Sequence, residues 1–569
     1  MIQTVLRRSY WISFFNTGLC VAYIVIPVLM GVGCRSADQY TSTPPAQPPS
    51  SISSEGELYF VDVTQQAKID FVHSFGDGYL SNLVESVGGG VVFLDYDQDG
   101  YLDLYVVNGT FVEGVSEGRK PKGTPKNRLY HNRQDGTFEE VTDQARVGDR
   151  GFGMGVAAGD YDNDGYPDIY ITNYGPNVLY HNNGNGTFSD VTARAGVGGN
   201  GCSVGAVWLD YDKDGLLDLY VGNYIQFDSE YSYYYAPDGF PGPLAYAGQA
   251  DVLYHNRGDG TFGEVTESTG VFNPAGRAMG VSAADYDDDG YVDIYVANDA
   301  MENYLYHNEG GQRFRELALL AGVAYNEMGD ATSSMAVDFA DYNGDGLTDI
   351  FVSDISYSAL YRNEGQGLFR DVTTPVGIAV ASGQYVGWAA AFIDYDNDGD
   401  VDIFQVNGDL EHLYGQEDQL FENLGEGGFR DVSVERGSYF QRELVGRGAC
   451  FGDYDNDGDV DAFIVNLNDN GVLLRNERGN RNNWLLIRLI GRLSNRDGVG
   501  TMVKVNSGDQ VQVAQKKSSS GYLSQNDPRL HFGLGKNQVV DWIEIVWPSG
   551  KKQVLEKVQA GQILTIVEP

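Results

Sequence analysis

The chain has 569 residues, and its 80 acidic against 38 basic side chains give a formal net charge of -42. This balance excludes nucleic acid as the main partner and disfavours docking on anionic lipid, because both are bound through basic side chains. The length suits one large domain and a smaller one, and so many carboxylates call for divalent cations as counter-ions.

The N-terminal segment, residues 1–34, has the order of an export signal. Two arginines precede an apolar run that ends in small residues before Cys34, and a Ser/Pro-rich tether follows over residues 35–57. The end of the run resembles a bacterial lipoprotein box, which implies lipidation of Cys34, although Gly31 stands where such boxes prefer leucine. An uncleaved membrane anchor and a simple cleaved signal are the alternatives. All three predict an extracytoplasmic protein, tethered at the cell surface or in the periplasm unless the signal is simply cleaved.

Three short motifs recur seven times in the same order over residues 58–480. The first resembles Phe-x-Asp-Val-Thr and begins at Phe60, Phe138, Phe188, Phe262, Phe314, Phe369 and Phe429. The second is an acidic loop of nine residues, Asp-x-Asp-x-Asp-Gly-x-x-Asp. The third resembles Leu-Tyr-His-Asn and begins at Leu129, Leu179, Leu253, Leu305, Leu360, Leu420 and Leu473. Successive acidic loops start 50 to 75 residues apart, which is room for four short strands, the size of one propeller blade.

The strands of a blade can be assigned in the second repeat. Residues 155–162 predict a small-residue inner strand, residues 168–173 and 177–182 the next two strands, and residues 187–192 the outer strand. The Phe60 motif precedes every acidic loop, whereas the seventh repeat lacks a first motif at its end. We therefore predict a closed seven-bladed β-propeller in which the N-terminal strand completes the seventh blade.

The acidic loops have the composition of calcium sites, because calcium takes several oxygen ligands from carboxylates spaced along a tight turn. Positions 1, 3, 5 and 9 supply side chains, and glycine at position 6 allows the turn. An EF-hand is excluded, since position 12 is never the glutamate that it requires and lies in a predicted strand, as at Val106, Ile171 and Val221. We predict up to seven structural calcium ions. The predicted ligands, loop by loop, are Asp95, Asp97, Asp99 and Asp103; Asp160, Asp162, Asp164 and Asp168; Asp210, Asp212, Asp214 and Asp218; Asp285, Asp287, Asp289 and Asp293; Asp341, Asn343, Asp345 and Asp349; Asp394, Asp396, Asp398 and Asp402; and Asp453, Asp455, Asp457 and Asp461.

The repeats resemble the FG-GAP and VCBS repeats, whose calcium loops lie in propellers like that of integrin α-subunits. Residues 481–569 resemble the ASPIC/UnbV domain, through motifs that begin at Ser494, Ser518 and Val540. The combination resembles the cartilage acidic protein family and its bacterial members, which implies a secreted or surface calcium-binding protein. The residue pattern alone predicts a small β-sandwich-like domain over residues 481–569. The expected fold is therefore all-β, an integrin α-like propeller followed by this domain.

No catalytic motif for a metalloprotease, a serine hydrolase, a phosphate loop or a redox dithiol occurs in the chain. Four histidines share one slot of the third motif, which favours a structural role, and Cys202 and Cys450 are predicted as free thiols rather than a bridge. These histidines are His131, His181, His255 and His307.

An insert of the third repeat, over residues 225–250, is rich in tyrosine and suits recognition of a glycan or a protein. The ligand-binding candidates in it are Tyr231, Tyr233, Tyr234 and Tyr235. We therefore predict a surface adhesion or ligand-binding module. A purely structural envelope protein and a carbohydrate-active lyase or hydrolase are the alternatives.

Overall fold

The computed structural model describes residues 58–116, 125–231 and 239–569. Strands dominate these ranges, and every α-helix in them is a single turn of four or five residues. None of the helices in these ranges has the length and apolar character that crossing a bilayer requires. The predicted export signal, Cys34, the tether and three of the candidate tyrosines, Tyr233, Tyr234 and Tyr235, lie outside the described residues.

Seven antiparallel four-stranded blades follow one another along the chain. A short pairing of Cys202 with Tyr174 joins blades 2 and 3 into one eight-stranded sheet, and a pairing of Asp299 with Ser333 joins blades 4 and 5 in the same way. Blade 7 takes its outer strand, β1 (Phe60–Asp62), from the start of the described chain. Blade 1 contains β2 (Val91–Leu94), β3 (Asp103–Val106), β4 (Arg128–Asn132) and β5 (Phe138–Glu140); blade 2 contains β6 (Phe152–Gly159), β7 (Asp168–Gly175), β8 (Val178–Asn182) and β9 (Phe188–Asp190). Blade 3 contains β10 (Gly201–Leu209), β11 (Asp218–Asn223), β14 (Val252–Asn256) and β15 (Phe262–Glu264), with a small hairpin of β12 (Ile225–Gln226) and β13 (Ala247–Gly248). Blade 4 contains β16 (Ala278–Ala284), β17 (Asp293–Met301), β18 (Tyr304–Asn308) and β19 (Phe314–Glu316); blade 5 contains β20 (Thr332–Ala340), β21 (Asp349–Asp354), β22 (Ala359–Asn363) and β23 (Phe369–Asp371). Blade 6 contains β24 (Gly387–Ile393), β25 (Asp402–Asn407), β26 (Gln419–Asn423) and β27 (Phe429–Asp431); blade 7 contains β28 (Gly446–Gly452), β29 (Asp461–Asn466) and β30 (Val472–Asn476) before β1.

The ring closes as the sequence predicts. The inner strands β2, β6, β10, β16, β20, β24 and β28 contact one another in succession, and β28 returns to β2. The strand β1 pairs antiparallel with β30, with Phe60 opposite Asn476 and Asp62 opposite Leu474. This pairing removes the two exposed sheet edges that an open ring would leave.

Single helical turns, which were not predicted from the sequence, follow the outer strands. They are α2 (Thr142–Ala145), α3 (Thr192–Ala195), α4 (Thr266–Thr269), α5 (Ala318–Ala321), α6 (Ile378–Ser382) and α7 (Ser433–Arg436), and α1 (Leu83–Ser86) precedes blade 1. Short 3₁₀ turns cover Pro243–Ala245, Gly425–Gly427, Ser438–Gln441 and Gly479–Arg481. Gly196, Gly270 and Gly322 end three of the α-turns in the left-handed conformation, which glycine adopts without strain.

The C-terminal region folds as two small sheets packed face to face. One sheet has the order β34 (Leu530–Gly535), β31 (Asn483–Ile490) and β37 (Gln562–Val567). The other has the order β33 (Gln510–Gln515), β32 (Met502–Ser507), β35 (Val539–Val546) and β36 (Lys552–Gln559). Alternate residues such as Leu485, Val503 and Ile543 form the core between them. This arrangement matches the predicted sandwich-like domain, although β34 and β36 were not predicted as strands.

The connection between β33 and β34 enters the centre of the ring. We call its residues 518–526 the plug. The plug reaches all seven blades, which the sequence did not predict. Its contacts are with Val91 and Phe93 of blade 1, Val156 of blade 2, Trp208 of blade 3, Ser282 of blade 4, Val337 of blade 5, Trp388 of blade 6 and Phe451 of blade 7. The fully buried Tyr522 packs edge-on against Trp388, with ring centroids 5.2 Å apart.

Candidate metal centres

Each acidic loop joins the inner strand of a blade to its second strand, so all seven loops lie at the same end of the ring. The Asp95 carboxylate fixes the turn of the first loop, since it accepts hydrogen bonds from the Asp99 amide at 3.0 Å and the Gly100 amide at 3.1 Å. Gly100 has a φ of +92°, which explains the glycine at position 6. Position 9, Asp103, is the first residue of β3 and is fully buried.

The carboxylates of one loop converge. Oxygen atoms of Asp95, Asp97 and Asp103 lie within 4.8 Å of one another. An overlapping group joins Asp97 and Asp99 to His131 within the same limit, and blades 2, 3 and 4 contain equivalent groups. The predicted ligand positions 1, 3 and 9 therefore meet in the first loop, and positions 3 and 5 meet a histidine.

That histidine, which was predicted to have only a structural role, lies beside the converging carboxylates. The His131 Nδ1 atom lies 3.1 Å from Asp103 Oδ1 and 3.5 Å from Asp97 Oδ2. The distances to positions 9 and 3 are 3.1–3.2 Å and 3.4–3.5 Å in blades 2, 3 and 4. A hydrogen bond to the position-9 carboxylate raises the pKa of each histidine. In blades 5, 6 and 7 the same slot holds Arg362, Glu422 and Arg475.

Burial makes ionisation of these carboxylates unfavourable without a counter-charge. It raises the pKa of the position-9 groups of blades 1 to 4, Asp103, Asp168, Asp218 and Asp293, to about 7. Position 3 of loops 1, 6 and 7, which is Asp97, Asp396 and Asp455, has a buried Oδ1 atom with no hydrogen-bond partner. Converging, partly unsatisfied carboxylate oxygens fit a hard divalent cation, which would satisfy them and hold them ionised.

Loops 6 and 7 contain a further acidic side chain that was not among the predicted ligands. Position 7 is Asp400 in loop 6 and Asp459 in loop 7, and the sequence Asp-Gly-Asp-Val-Asp shows both. Asp459 is fully buried, and burial raises its pKa to about 8. In the other five loops position 7 is an uncharged residue. An acidic side chain at position 7 is therefore confined to loops 6 and 7.

The three repeated motifs meet at every boundary between blades. The asparagine of the third motif donates from its backbone amide to the position-9 carboxylate of its own blade at 2.7–2.8 Å. Its side chain donates to the carbonyl of the position-2 tyrosine in the preceding loop at 2.6–2.9 Å. The phenylalanine of the first motif packs on that same tyrosine, with centroids 5.6–6.3 Å apart. Each loop is thus hydrogen-bonded into the next blade.

The C-terminal domain lies on the loop end of the ring. Arg488 Nη1 is 3.9 Å from Asp95 Oδ2 in loop 1, and the Asp497 carboxylate accepts from the Asp160 amide in loop 2 at 2.9 Å. The Gly535 amide donates to the Asn397 carbonyl of loop 6 at 2.8 Å. Arg529 donates to Asn456 of loop 7 at 2.6 Å. The covering of the loops by this domain had no signal in the sequence.

The described part of the tyrosine-rich insert packs on itself. The Tyr231 ring lies 5.6 Å from the buried Tyr246 ring, and Phe227 lies 5.3 Å from Tyr246. Cys202 and Cys450 are buried and free, as predicted. The described residues therefore place Tyr231 in an aromatic cluster away from the acidic loops.

Comparison with known proteins assigns both parts of the chain. The family model described as FG-GAP-like repeat matches residues 95–171, 161–221, 244–296, 285–352 and 341–404, about half of the chain. The model described as ASPIC and UnbV matches residues 491–569.

Cartilage acidic protein 1 from Homo sapiens is 27% identical over 352 residues, which cover 58% of this chain and 43% of the human protein. Its Mus musculus counterpart is 29% identical over 314 residues, which cover 52% of this chain and 45% of the mouse protein. The matched region thus spans less than half the length of these relatives.

A solved structure of a lectin from Agrocybe aegerita, described for recognition of non-reducing terminal N-acetylglucosamine, aligns with a TM-score of 0.39 and 17% identity over 67% of this chain and 87% of that chain. A similarity at this level bears on neither ligand nor activity. By its repeats and its C-terminal domain, the chain belongs to the family of FG-GAP-like repeat propellers that carry an ASPIC and UnbV domain, whose relatives are named cartilage acidic protein 1.

Proposed function

We propose that this protein is an extracytoplasmic calcium-binding propeller that acts as a ligand-binding or adhesion module at the cell surface. The observation that supports the calcium assignment is the convergence of carboxylates at positions 1, 3 and 9 of one loop. The same positions carry oxygen ligands in all seven loops, with Asn343 in place of one carboxylate. Calcium accepts six to eight oxygen ligands in flexible geometry, which suits such a loop better than the strict octahedron of magnesium.

The calcium ions would have a structural role. Each loop is hydrogen-bonded to the next blade through an asparagine side chain, for example Asn182 to the Tyr96 carbonyl at 2.8 Å. A cation that orders one loop therefore also orders a blade boundary. Ionised carboxylates at 4–5 Å repel one another strongly at low dielectric, and a divalent cation converts that repulsion into attraction.

The binding role is inferred from family and architecture. FG-GAP-like propellers are consistent with ligand-binding modules, and no known catalytic motif stands in the sequence. We propose a protein or glycan ligand outside the cytoplasm, with Cys34 as a lipid anchor and residues 35–57 as the tether. The tyrosine-rich insert and the interdomain surface are the two candidate contact regions.

Loop 4 offers a matched pair of substitutions for the calcium test. Asp287 is a predicted ligand at position 3, and its neighbour Asp288 at position 4 is exposed and has a φ of 60°, which asparagine tolerates. Asp287→Asn and Asp288→Asn remove the same charge. We expect calcium titration calorimetry to show one weakened or lost site in Asp287→Asn and wild-type binding in Asp288→Asn. Equal binding by both variants would contradict the loop assignment. A glycan array with and without calcium then tests the binding role.

A further inference from the structure

A cavity of about 370 Å³ lies between the C-terminal domain and blades 1 and 2. Its floor includes the position-1 carboxylates Asp95 and Asp160, and β31 and β37 form the opposite wall. Pockets of 300–1,000 Å³ commonly hold small organic ligands. The plug occupies the centre of the ring, and its residue Gln525 lines one side of this cavity.

The charge of the cavity is unusual for this chain. Four basic side chains line it, Arg488, Arg496, Lys516 and Arg529, against three acidic ones, Asp95, Asp160 and Asp497. Across the whole chain, acidic residues outnumber basic ones by 80 to 38. Two of the three carboxylates are position-1 residues of metal loops. A divalent cation in loop 1 or 2 would offset about half of the charge of the four carboxylates in that loop, and the lining would then be net positive even though Arg529 is paired with Asp527 at 2.6 Å.

Lys516 is the most informative of the four. It is only 6% exposed, and its Nζ atom donates to the Pro528 carbonyl. Among the described residues, no carboxylate lies within 4.0 Å of that ammonium. Burial of an ammonium without a carboxylate partner costs free energy. An ammonium can donate three hydrogen bonds, and the Pro528 carbonyl accepts only one of them. The Asp497 and Asp527 carboxylates act on this ammonium only from farther away, so a bound anion would provide a direct counter-charge.

The mouth of the cavity carries Arg488 and Arg496, whose side chains are 36% and 44% exposed, so the space is reachable from solvent. Pro167, Leu489 and Ile563 add apolar surface to the lining. We propose that this cavity binds a small organic anion, with its carboxylate or phosphate group beside Lys516 and its body against the apolar wall. The proposal rests on the proposed cations of loops 1 and 2.

The test is titration calorimetry of the calcium-loaded full chain with two pairs of probes. Galacturonate is compared with neutral galactose, and glucose 1-phosphate with neutral glucose. We expect one anion or both to bind at a single site and the neutral sugars not to bind. Binding of galacturonate alone identifies a carboxylate site, and binding of glucose 1-phosphate alone identifies a phosphate site. If neither anion binds, or the neutral sugars bind equally well, the inference is wrong.

Variants locate the binding. Lys516→Met should lower the affinity for the anion by about tenfold or more, which is the effect expected from loss of a charged hydrogen bond. Lys552→Met makes the same change on exposed β36 and should bind like the wild type. Arg496→Met, at the exposed mouth, should weaken binding by about threefold and covers the case in which Lys516→Met does not fold. Unchanged affinity in Lys516→Met or, if it is unfolded, in Arg496→Met overturns the site.

Calcium titrations of the same samples separate the two proposals. Normal calcium binding with no anion binding refutes the cavity proposal and leaves the calcium proposal intact. If neither calcium nor an anion binds, the calcium proposal and the cavity proposal are both refuted.

Discussion

Buried carboxylates have their pKa shifted in opposite directions in the propeller and in the C-terminal domain. In the ring, burial raises the pKa of Asp103 to about 7, and other loop carboxylates surround it. In the C-terminal domain, burial likewise opposes ionisation of Glu568. However, the Ser549 hydroxyl and three consecutive amides, those of Arg492, Leu493 and Ser494, outweigh it and lower the pKa to about 2.

The two regions differ in the groups that stabilise the ionised carboxylates. The C-terminal domain supplies its own donors, since the Glu568 carboxylate accepts from amides at 2.7–2.9 Å. In the ring, the four carboxylates of loop 1 share five backbone amides, and a position-3 oxygen has no partner in three loops. The ring should therefore depend on cations, whereas the C-terminal domain should not.

The largest expected effect is that of calcium removal. Excess EGTA should lower the Tm of the ring by more than about 10 °C, because several sites each contribute a few kcal/mol when calcium is well above its Kd. Differential scanning calorimetry with and without EGTA measures the shift. An unchanged melting curve would show that the ring needs no cation and would abolish the contrast between the two regions.

The second expected effect concerns the plug, which joins the two regions. Tyr522→Ala should cost about 3–5 kcal/mol, as for other large buried aromatic residues, and should loosen the packing around Trp388. Chemical denaturation followed by tryptophan fluorescence measures both. Tyr79→Ala, at a tyrosine that is 65% exposed, is the control and should be close to neutral. Equal stability of the two variants would mean that the plug contributes little to the ring.

The plug also marks the limit of what the sequence predicts. The seven blades could be predicted because every boundary uses the same phenylalanine, tyrosine and asparagine, so the motif recurs visibly. Closure by Phe60 followed from the motif order. Residues 518–526 have no periodic pattern, and their position depends on backbone groups such as the Val91 and Val337 carbonyls, which any residue would provide.

The candidate sites show the same limit. The convergence of the loop carboxylates could be predicted from their spacing. The contact of His131 with Asp103 could not, because it depends on the register of β3 and β4, which places Tyr105 opposite Leu129. Lys516 belongs to no recognisable sequence motif. The anion-binding role proposed for it depends on the docking of two domains, which a pattern in the sequence does not encode.

The third expected effect tests whether the blades depend on one another. Asn182→Ala removes the hydrogen bonds of the side chain to the Tyr96 and Pro167 carbonyls, and should cost about 2–3 kcal/mol because buried carbonyls lose their donor. Asn183→Ala, at the next and exposed residue, is the matched control. Denaturation in saturating calcium measures the cost, and calcium titration should show weaker binding in Asn182→Ala if the loops are coupled through these links. A cost no greater than that of Asn183→Ala would contradict the coupling.

The smallest expected effect lies in the C-terminal domain. Glu568→Gln should cost about 2 kcal/mol at pH 7, because a neutral amide accepts the three backbone hydrogen bonds less well than a carboxylate. The folded pKa of Glu568, about 2, is below its ordinary value of 4.5, so its contribution is fully present above pH 4.5 and declines as the pH falls towards 2. The difference in unfolding free energy between wild type and variant should therefore shrink below pH 4.5. It should not respond to EGTA, because the hydrogen-bond donors to this carboxylate all belong to the C-terminal domain and none to an acidic loop. Fluorescence of Trp547, which is buried in the core of this domain, follows its unfolding. A difference that stays constant from pH 7 to pH 3, or one that vanishes in EGTA, would show that the Glu568 carboxylate is not satisfied independently of the ring.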